Sequence, residues 1–460
     1  MSRTKIVCTI GPASEKEATL KKMILAGMRV ARLNFSHGTH EQHQGFIETI
    51  RGLSASMNIP VAIMQDLQGP KIRVGALPAA GLKFGEGKTV HFSPKAKEYN
   101  DRDQLIPVTY GGFARDVKAH DRVMIDDGNV VCRVTAVHKG TVSARVEVGG
   151  LVTSHKGVNL PDSSVRLSAL TAKDQKDVAF GVRAGVDMIV LSFVSNGEDL
   201  SKLRELIKRE EKRQGIKPSN IEIVAKVERA DAIHHIDDII EEADAIMLGR
   251  GDLGVEIPAE QVPLHQKEIV HKCRCAGVPV IVATQMLESM RDKPRATRAE
   301  VSDVANAVID HTDAIMLSAE SATGKYPVKA VETLVTVAEA TEASVYSQVR
   351  PDQLCVDETD MALVDQIRVA MEGDKVEAIV SGMQFGDVAL TLNRHRPQVP
   401  IFIAAVDDKQ ARQLSLCWGV TPFVLKRARS ADAFQKAARA ALEEQKLIKK
   451  TTQLLFITGA

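Results

Sequence analysis

Short apolar runs that end in polar or charged residues recur along most of the chain. Three share one pattern: Val186-Asp-Met-Ile-Val-Leu-Ser192, Ala243-Asp-Ala-Ile-Met-Leu-Gly249 and Thr312-Asp-Ala-Ile-Met-Leu-Ser318. Such runs read as strands buried on both faces of a parallel sheet. Five more look alike: Lys5–Ile10, Arg29–Asn34, Val61–Asp66, Ile221–Lys226 and Val278–Thr284. Apolar positions at helical spacing lie between most of them. Ser14-x-x-Glu17 and Thr297-x-x-Glu300 each read as a capping box that opens such a helix, the second one before Val301, Val304, Ala305 and Val308. Eight strands alternating with helices predict a (β/α)8 barrel of the TIM type.

One connection is anomalous. About 120 residues separate the strand ending at Asp66 from the one beginning near Asp187. Within them, Lys88–Phe92, Arg122–Ile125, Val130–Val137 and Thr141–Val148 alternate apolar with polar between Gly and Asp-Gly turns. The expected organisation is a barrel from 1–70 and 166–344, with a small β-barrel lid domain, 71–165, inserted after the third strand. From 345 to 460 the pattern changes. Glu377–Ser381, Pro400–Ala405, Gly419–Leu425 and Gln453–Thr458 read as strands, and 361–372, 386–395, 408–416 and 430–446 as helices. That pattern predicts a C-terminal α/β domain with a mostly parallel sheet.

Composition narrows the function. Sixty basic residues nearly cancel fifty-nine acidic ones, which argues against bulk electrostatic binding to nucleic acid or a membrane surface. One Trp and four Tyr offer few platforms for stacking bases. No apolar run has the length of a signal peptide or a membrane span, so a cytoplasmic protein is expected. The six cysteines, at 8, 132, 273, 275, 355 and 417, show no CxxC spacing and read as reduced thiols.

Barrels of this class carry their chemistry past the C-terminal ends of the strands. Unusual residues collect there: Arg32, Asn34, Ser36 and His37 after the second strand, Asp66 after the third, Ser192 after the fourth, Lys226 and Glu228 after the fifth, Gly249-Arg-Gly-Asp252 after the sixth, Thr284 after the seventh, and Glu320 after the eighth. Charges at the ends of buried strands are costly unless paired or bound to a ligand. Glu228 and Asp252 read as hard oxygen ligands for Mg2+ or Mn2+. The competing reading is a salt bridge to Arg229 or Arg250. Arg32, Arg73 and Lys226 read as a cationic clamp for a transferring phosphoryl group. The Thr284 hydroxyl reads equally well as part of a proton relay or as a cap. Gly249-Arg-Gly-Asp-Leu-Gly254 also fits a dinucleotide loop, but the following region, 270–276, reads as helix where an acidic strand end is needed. Its backbone N–H groups suit a small carboxylate better.

These residues sit in stretches that resemble the pyruvate kinase family. The stretches are Lys5-Ile-Val-Cys-Thr-Ile-Gly-Pro-Ala-Ser14, Arg32-Leu-Asn-Phe-Ser-His-Gly38, Asp66-Leu-Gln-Gly-Pro-Lys-Ile-Arg73, Lys156-Gly-Val-Asn-Leu-Pro161, Ala225-Lys-Val-Glu228, Gly249-Arg-Gly-Asp-Leu-Gly-Val-Glu256, Ala283-Thr-Gln-Met-Leu-Glu-Ser-Met290 and Asp313-Ala-Ile-Met-Leu-Ser-Ala-Glu320. The resemblance implies phosphoryl transfer from phosphoenolpyruvate to ADP, giving pyruvate and ATP, in a glycolytic homotetramer. It implies that Lys226 meets the phosphoryl group and that Glu228 and Asp252 hold the divalent metal. It gives Arg250, Gly251, Asp252 and Thr284 to the substrate carboxylate, and Arg32 and Arg73 to phosphate. Asn34, Ser36 and Asp66 match a monovalent-cation pocket. His37, Lys156 and the Asp126-Asp127-Gly128 turn match nucleotide-facing positions.

Two departures carry expectations of their own. Many family members have Glu where this chain has Lys71, and an ammonium group there can stand in for K+, so turnover without K+ is expected. Before Arg394-His-Arg-Pro397, sugar-phosphate-regulated members carry a hydroxyl-rich loop, whereas this chain has Met383-Gln-Phe-Gly-Asp-Val388. Fructose 1,6-bisphosphate is therefore not expected to bind. Two rival functions share the residues: a metal-dependent lyase or aldolase acting through a pyruvate enolate, and a catalytically silent metabolite-binding regulator. Arg73, Lys226 and the insertion disfavour the first. The intact Lys226, Glu228 and Asp252 disfavour the second.

Overall fold

The computed structural model describes residues 2–102, 104–163, 165, 167–349, 355, 376–385, 392 and 394–458. Eight parallel strands close into a barrel: β1 (Lys5–Ile10), β2 (Met28–Asn34), β3 (Ala62–Asp66), β4 (Met188–Leu191), β5 (Glu222–Val227), β6 (Ala245–Gly249), β7 (Val280–Ala283) and β8 (Ala314–Leu317). Each pairs with its neighbours in chain order, and β8 returns to β1. Side chains alternate along each strand. Val7, Val30, Met64, Val190, Val224, Met247, Ile281 and Met316 fill the lumen, while Ile6, Cys8, Ile63, Ile189, Ile246 and Ile315 pack outward on the helices. Both faces are dry, which is why these strands read as continuous apolar runs.

The aspartate shared by the three repeats has one job in all of them. Asp187, Asp244 and Asp313 each precede an even-numbered strand at the barrel floor. Each accepts a hydrogen bond from a backbone N–H of the preceding strand: Ile63 at 2.7 Å, Ile223 at 2.7 Å and Val280 at 3.0 Å. A buried N–H at a strand end needs such a partner. Arginines balance the charge. Arg51 and Arg412 pair with Asp187, Arg204 with Asp244 and Arg396 with Asp313. Arg396 and Arg412 come from the C-terminal part of the chain, so the floor is also a docking surface. Leu416 completes it by joining the lumen cluster.

Thr297-x-x-Glu300 forms the expected capping box, though Val301 is exposed rather than on the packed face. Ser14-x-x-Glu17 does not. The first helix, Glu17–Ala26, starts after Lys16, with no side-chain cap. The buried Ser14 hydroxyl instead accepts from Gly11 N at 3.1 Å and closes the turn behind β1.

The insertion after β3 folds as a six-stranded sheet beside a two-stranded one, around a single core containing Phe84, Phe92, Phe113, Val123 and Val142. Its neck is a ribbon sealed by its own hydrogen bonds, Val74 N to Lys156 O and Val158 N to Ile72 O, each 2.9 Å. The C-terminal sheet has four parallel strands, with Ala378–Gly382 and Ile401–Ala405 central and Val420–Val424 and Leu454–Phe456 at the edges. The helices expected over 408–416 and 430–446 are present as Asp408–Gln413, extended by a 3-10 turn, and Ala431–Glu444. The one expected over 361–372, and most of the one over 386–395, lie outside the described residues.

The expectation of six reduced thiols fails at one pair. Cys275 and Cys355 form a disulfide across 80 residues of sequence, with their Cα atoms 5.0 Å apart. Long-range pairing leaves no mark in local spacing, which is why the cysteine pattern did not reveal it. Cys8, Cys132, Cys273 and Cys417 are free and buried.

Candidate active site

The charged residues expected at the barrel mouth converge there. Lys226, on β5, extends its ammonium group to 2.7 Å from Glu228 Oε1 and 3.8 Å from Asp66 Oδ2. Asp66 ends β3 and also accepts from Arg32 Nε at 2.6 Å and from Ser192 Oγ at 3.2 Å. Arg32 is tied further to the Thr9 hydroxyl at 2.9 Å, so three strands fix one guanidinium. The segment beyond it is braced through Phe35, whose ring stacks on His43 at 4.1 Å and whose carbonyl accepts from Lys173 at 2.6 Å.

Charge is balanced unevenly. Burial disfavours the charge on Asp66, but Arg32 and Lys226 outweigh it and hold the carboxyl below its ordinary range. Burial also opposes the Lys226 charge, and Asp66 and Glu228 more than compensate, so this ammonium stays charged above its usual value. Glu228 goes the other way. Burial, with Asp252 and Asp66 nearby, pushes it up to about 7 against the pull of Lys226. A buried carboxyl facing further carboxylates is a ready seat for a cation.

Local backbone geometry makes that seat. A Cβ on Gly249 would lie 2.6 Å from Glu228 Cγ and 3.0 Å from Oε1, so only glycine lets Glu228 lie over the end of β6. Glu228 Oε2 accepts from Phe193 N at 3.2 Å. The chain then turns directly into the short helix Arg250–Glu256, which carries Asp252 in its first turn. Gly251 N donates to Thr284 Oγ1 at 2.8 Å, and that hydroxyl donates to Ala283 O. Thr284 holds φ 71° and Phe193 holds φ 57°. Left-handed backbone at a β-branched threonine is strained, and strain of this kind collects at functional sites. The salt bridges weighed against a metal site are spent elsewhere: Arg229 pairs with Asp231 at 3.1 Å and Arg250 with Asp303 at 2.7 Å.

Other expected site residues stand further out. Asn34 Oδ1 accepts from Ser36 N at 3.1 Å, and His37 is exposed at the rim. Arg73 donates to His155 O at 2.8 Å in the neck. Lys156 pairs with Asp126 at 2.6 Å, which joins the two expected nucleotide-facing positions of the insertion. Lys71 makes no hydrogen bond or ion pair with Asn34, Ser36 or Asp66 and lies 3.4 Å from Asp252 Oδ1. The physical reason is local charge: Asp66 already has two cations, whereas Asp252 has none nearer.

Three features carry no signal that spacing can show. Asp303, on the Arg298–Ile309 helix, anchors Arg250 through both terminal guanidinium nitrogens. Phe193 N orients Glu228. Asn159 Nδ2 donates to Glu256 Oε1 at 3.0 Å and so ties the insertion to the helix bearing Asp252. Both partners of that last contact fall inside stretches quoted for the resemblance, which was the available clue.

Comparison with known proteins identifies the family. The family model for the pyruvate kinase barrel domain matches residues 1–331, and that for the pyruvate kinase alpha/beta domain matches residues 362–460. A pyruvate kinase of Staphylococcus aureus strain MRSA252 is 39% identical over 464 residues, covering 100% of this chain and 78% of its own. One from strain USA300 matches to the same extent. The crystal structure of a pyruvate kinase from Cryptosporidium parvum superposes with a TM-score of 0.92 at 32% identity, covering 100% of this chain and 94% of that one. Matched along its whole length by relatives of one name, and by family models over both the barrel and the C-terminal sheet, the chain belongs to the pyruvate kinase family of phosphotransferases.

Proposed function

We propose that this barrel mouth moves the phosphoryl group of phosphoenolpyruvate to ADP, with Lys226 as the cation that meets it in flight. The observation carrying this reading is the Lys226 ammonium, half-buried between Glu228 and Asp66 and kept charged by both. Transfer of a phosphoryl group spreads negative charge over its oxygens, and fixed cations stabilise that charge without reorganising. Arg32 is fixed for the same purpose, and Arg73 is carried on the neck of the insertion, residues 71–165, which acts as a lid. Glu228 and Asp252 would hold Mg2+ or Mn2+, which the family generally uses and which supplies further positive charge to phosphate and enolate oxygens. The Arg250–Asp252 backbone and the Thr284 hydroxyl would hold the carboxylate end, Gly251 N and Thr284 giving up their mutual hydrogen bond to do so, and Thr284 would stand near the proton path to the enolate carbon. His37 and Lys156 face the nucleotide.

Turnover is proposed to need no K+. Lys71 brings an ammonium group to the mouth, 3.4 Å from Asp252 Oδ1, at the position where the resemblance puts the Glu that accompanies K+ in many family members. Fructose 1,6-bisphosphate is proposed not to bind. Support comes from Arg396 of the Arg-x-Arg-Pro stretch, which is fully buried on Asp313, and from Gln384, whose side chain accepts from Ala428 N at 2.9 Å. The proposed setting is a cytoplasmic homotetramer in glycolysis. Among the described residues no helix is long and apolar enough to cross a membrane.

A coupled assay with phosphoenolpyruvate, ADP and Mg2+ tests the main reading. Lys226→Met should lose about 1,000-fold or more in kcat while still binding Mn2+. Activity of the variant within about tenfold of the parent would refute the role. In tetramethylammonium buffer, a rate that collapses and returns only with K+ would refute the Lys71 reading. Saturable heat on titration with fructose 1,6-bisphosphate would refute the regulatory one.

A further inference from the structure

The disulfide lies far from the barrel mouth, and phosphoryl transfer makes no use of it. Cys275 is at the end of the Val262–Ala276 helix, and Cys355 is in the chain leading from the last barrel helix to the C-terminal sheet. We propose that these two cysteines form a thiol–disulfide exchange site for glutathione-class thiols and small dithiols, which fastens this helix to that connection.

Four observations support it. First, access: Cys275 lines an open cleft of about 550 Å3 with Asp237, Glu241, His271 and Lys272, and both cysteines are only partly buried. Second, selectivity: burial pushes the Cys273 thiol well above its ordinary value and Cys132 up to about 12, and it also raises Cys8 and Cys417. Thiols held protonated and out of reach do not exchange. Third, a donor for the thiolate: His271 Nε2 lies 3.7 Å from Cys275 Sγ. Arg274 donates to His271 Nδ1 at 3.4 Å, which leaves the ring proton on Nε2, directed at the sulfur, where it stabilises the Cys275 thiolate. Fourth, leverage: the same helix offers Gln266 to Arg250 at 3.1 Å and sends Arg274 to Arg394 O at 2.9 Å. The cross-link therefore fixes a helix that touches both the Arg250 anchor and the C-terminal domain.

The exchange balances without another reactant. The Cys275 thiolate attacks glutathione disulfide, forms a mixed disulfide and releases one glutathione. The Cys355 thiolate then attacks the Cys275 sulfur and expels the second. Two protein thiols are oxidised, one glutathione disulfide is reduced, and the two cysteine protons end on the released glutathiones. A dithiol reverses the exchange and is itself oxidised to a disulfide.

The test uses the full chain equilibrated over a series of glutathione to glutathione-disulfide ratios, quenched in acid, alkylated under denaturant and mapped by mass spectrometry. A peptide linking Cys275 to Cys355 should grow as the disulfide form dominates, with Cys8, Cys132, Cys273 and Cys417 alkylated throughout. Dithiothreitol should lower the thermal midpoint of the oxidised parent by several degrees and leave Cys355→Ser unmoved. If Cys355→Ser does not fold, Cys275→Ser serves the same purpose. No linked peptide at any ratio, or linkage through other cysteines, overturns the exchange site. A link without a thermal shift, or an equal shift in the serine variant, overturns the fastening.

Discussion

Asp313 holds the guanidinium of Arg396 at 3.0 Å, with both side chains fully buried, and thereby joins the foot of β8 to the C-terminal domain. The same carboxylate accepts from Trp418 N and from Val280 N. Removing one partner of such a pair leaves a buried charge uncompensated, at about 3–5 kcal/mol. Arg396→Met should therefore lower unfolding stability by that order. Limited proteolysis should cut between barrel and C-terminal domain sooner than in the parent. An unchanged urea midpoint would show that the pair does not carry the docking.

Gly249 predicts a loss of activity from one added methyl group. The alanine Cβ would meet the Glu228 side chain at 2.6 Å and push it off the end of β6. Displacement of a positioned group by about 1 Å costs on the order of 100-fold in rate. Gly249→Ala should show that fall together with weaker Mn2+ binding by paramagnetic resonance and little change in melting. Normal metal affinity would mean that Glu228 is not a ligand.

Thr284 separates stability from function. Its φ of 71° strains a threonine but not a glycine. In Thr284→Gly, relief of about 1–3 kcal/mol of strain offsets the greater freedom of the unfolded chain. Stability should stay near that of the parent, while kcat falls about 100-fold with the hydroxyl gone. A loss of several kcal/mol of stability would count against strain at this position.

Glu222 gives the chain a pH signature. It opens β5 at the barrel floor and lines a cleft of about 920 Å3 against Lys409 and Arg412. Burial, with Asp244 and Asp187 close by, pushes its carboxyl up to about 8 from 4.5. The folded chain keeps this proton where the unfolded chain has lost it. Its stabilisation is thus complete below pH 4.5, shrinks as pH rises and is gone above about 8. Glu222→Gln should flatten the decline between about pH 5 and 8 in calorimetric scans. Parallel curves for the two proteins would exclude Glu222 as its source.

How far the sequence could be read follows from where the information lies. Each barrel strand announces itself because it is dry on both faces, and its last residues stand out because they are charged. Lys226, Glu228 and Asp66 were therefore findable, and they do meet. The short strands Leu82–Phe84, Leu105–Pro107 and Gly150–Val152 escaped because three residues show no alternation. Ser14 misled because a capping-box spacing arises wherever a serine and a glutamate fall three apart, and here a glycine turn took the hydroxyl. Asp187, Asp244 and Asp313 were visible as a repeat, but their shared role was not, since it depends on which N–H the neighbouring strand leaves open. Lys71 went to Asp252 because a side chain follows the charge nearest its reach, which no one-dimensional pattern encodes.

The self-sealed neck of the insertion has an evolutionary corollary. The strands that flank it, β3 and β4, remain hydrogen-bonded neighbours despite the interruption. To the barrel, a module closed at its own base is only another short loop, and closure entropy grows slowly with what lies beyond. Such a module can lengthen or shorten while the strand order beneath it stays untouched, so its surface away from Arg73, Lys156 and Asn159 is free to diversify faster than the cylinder that carries it.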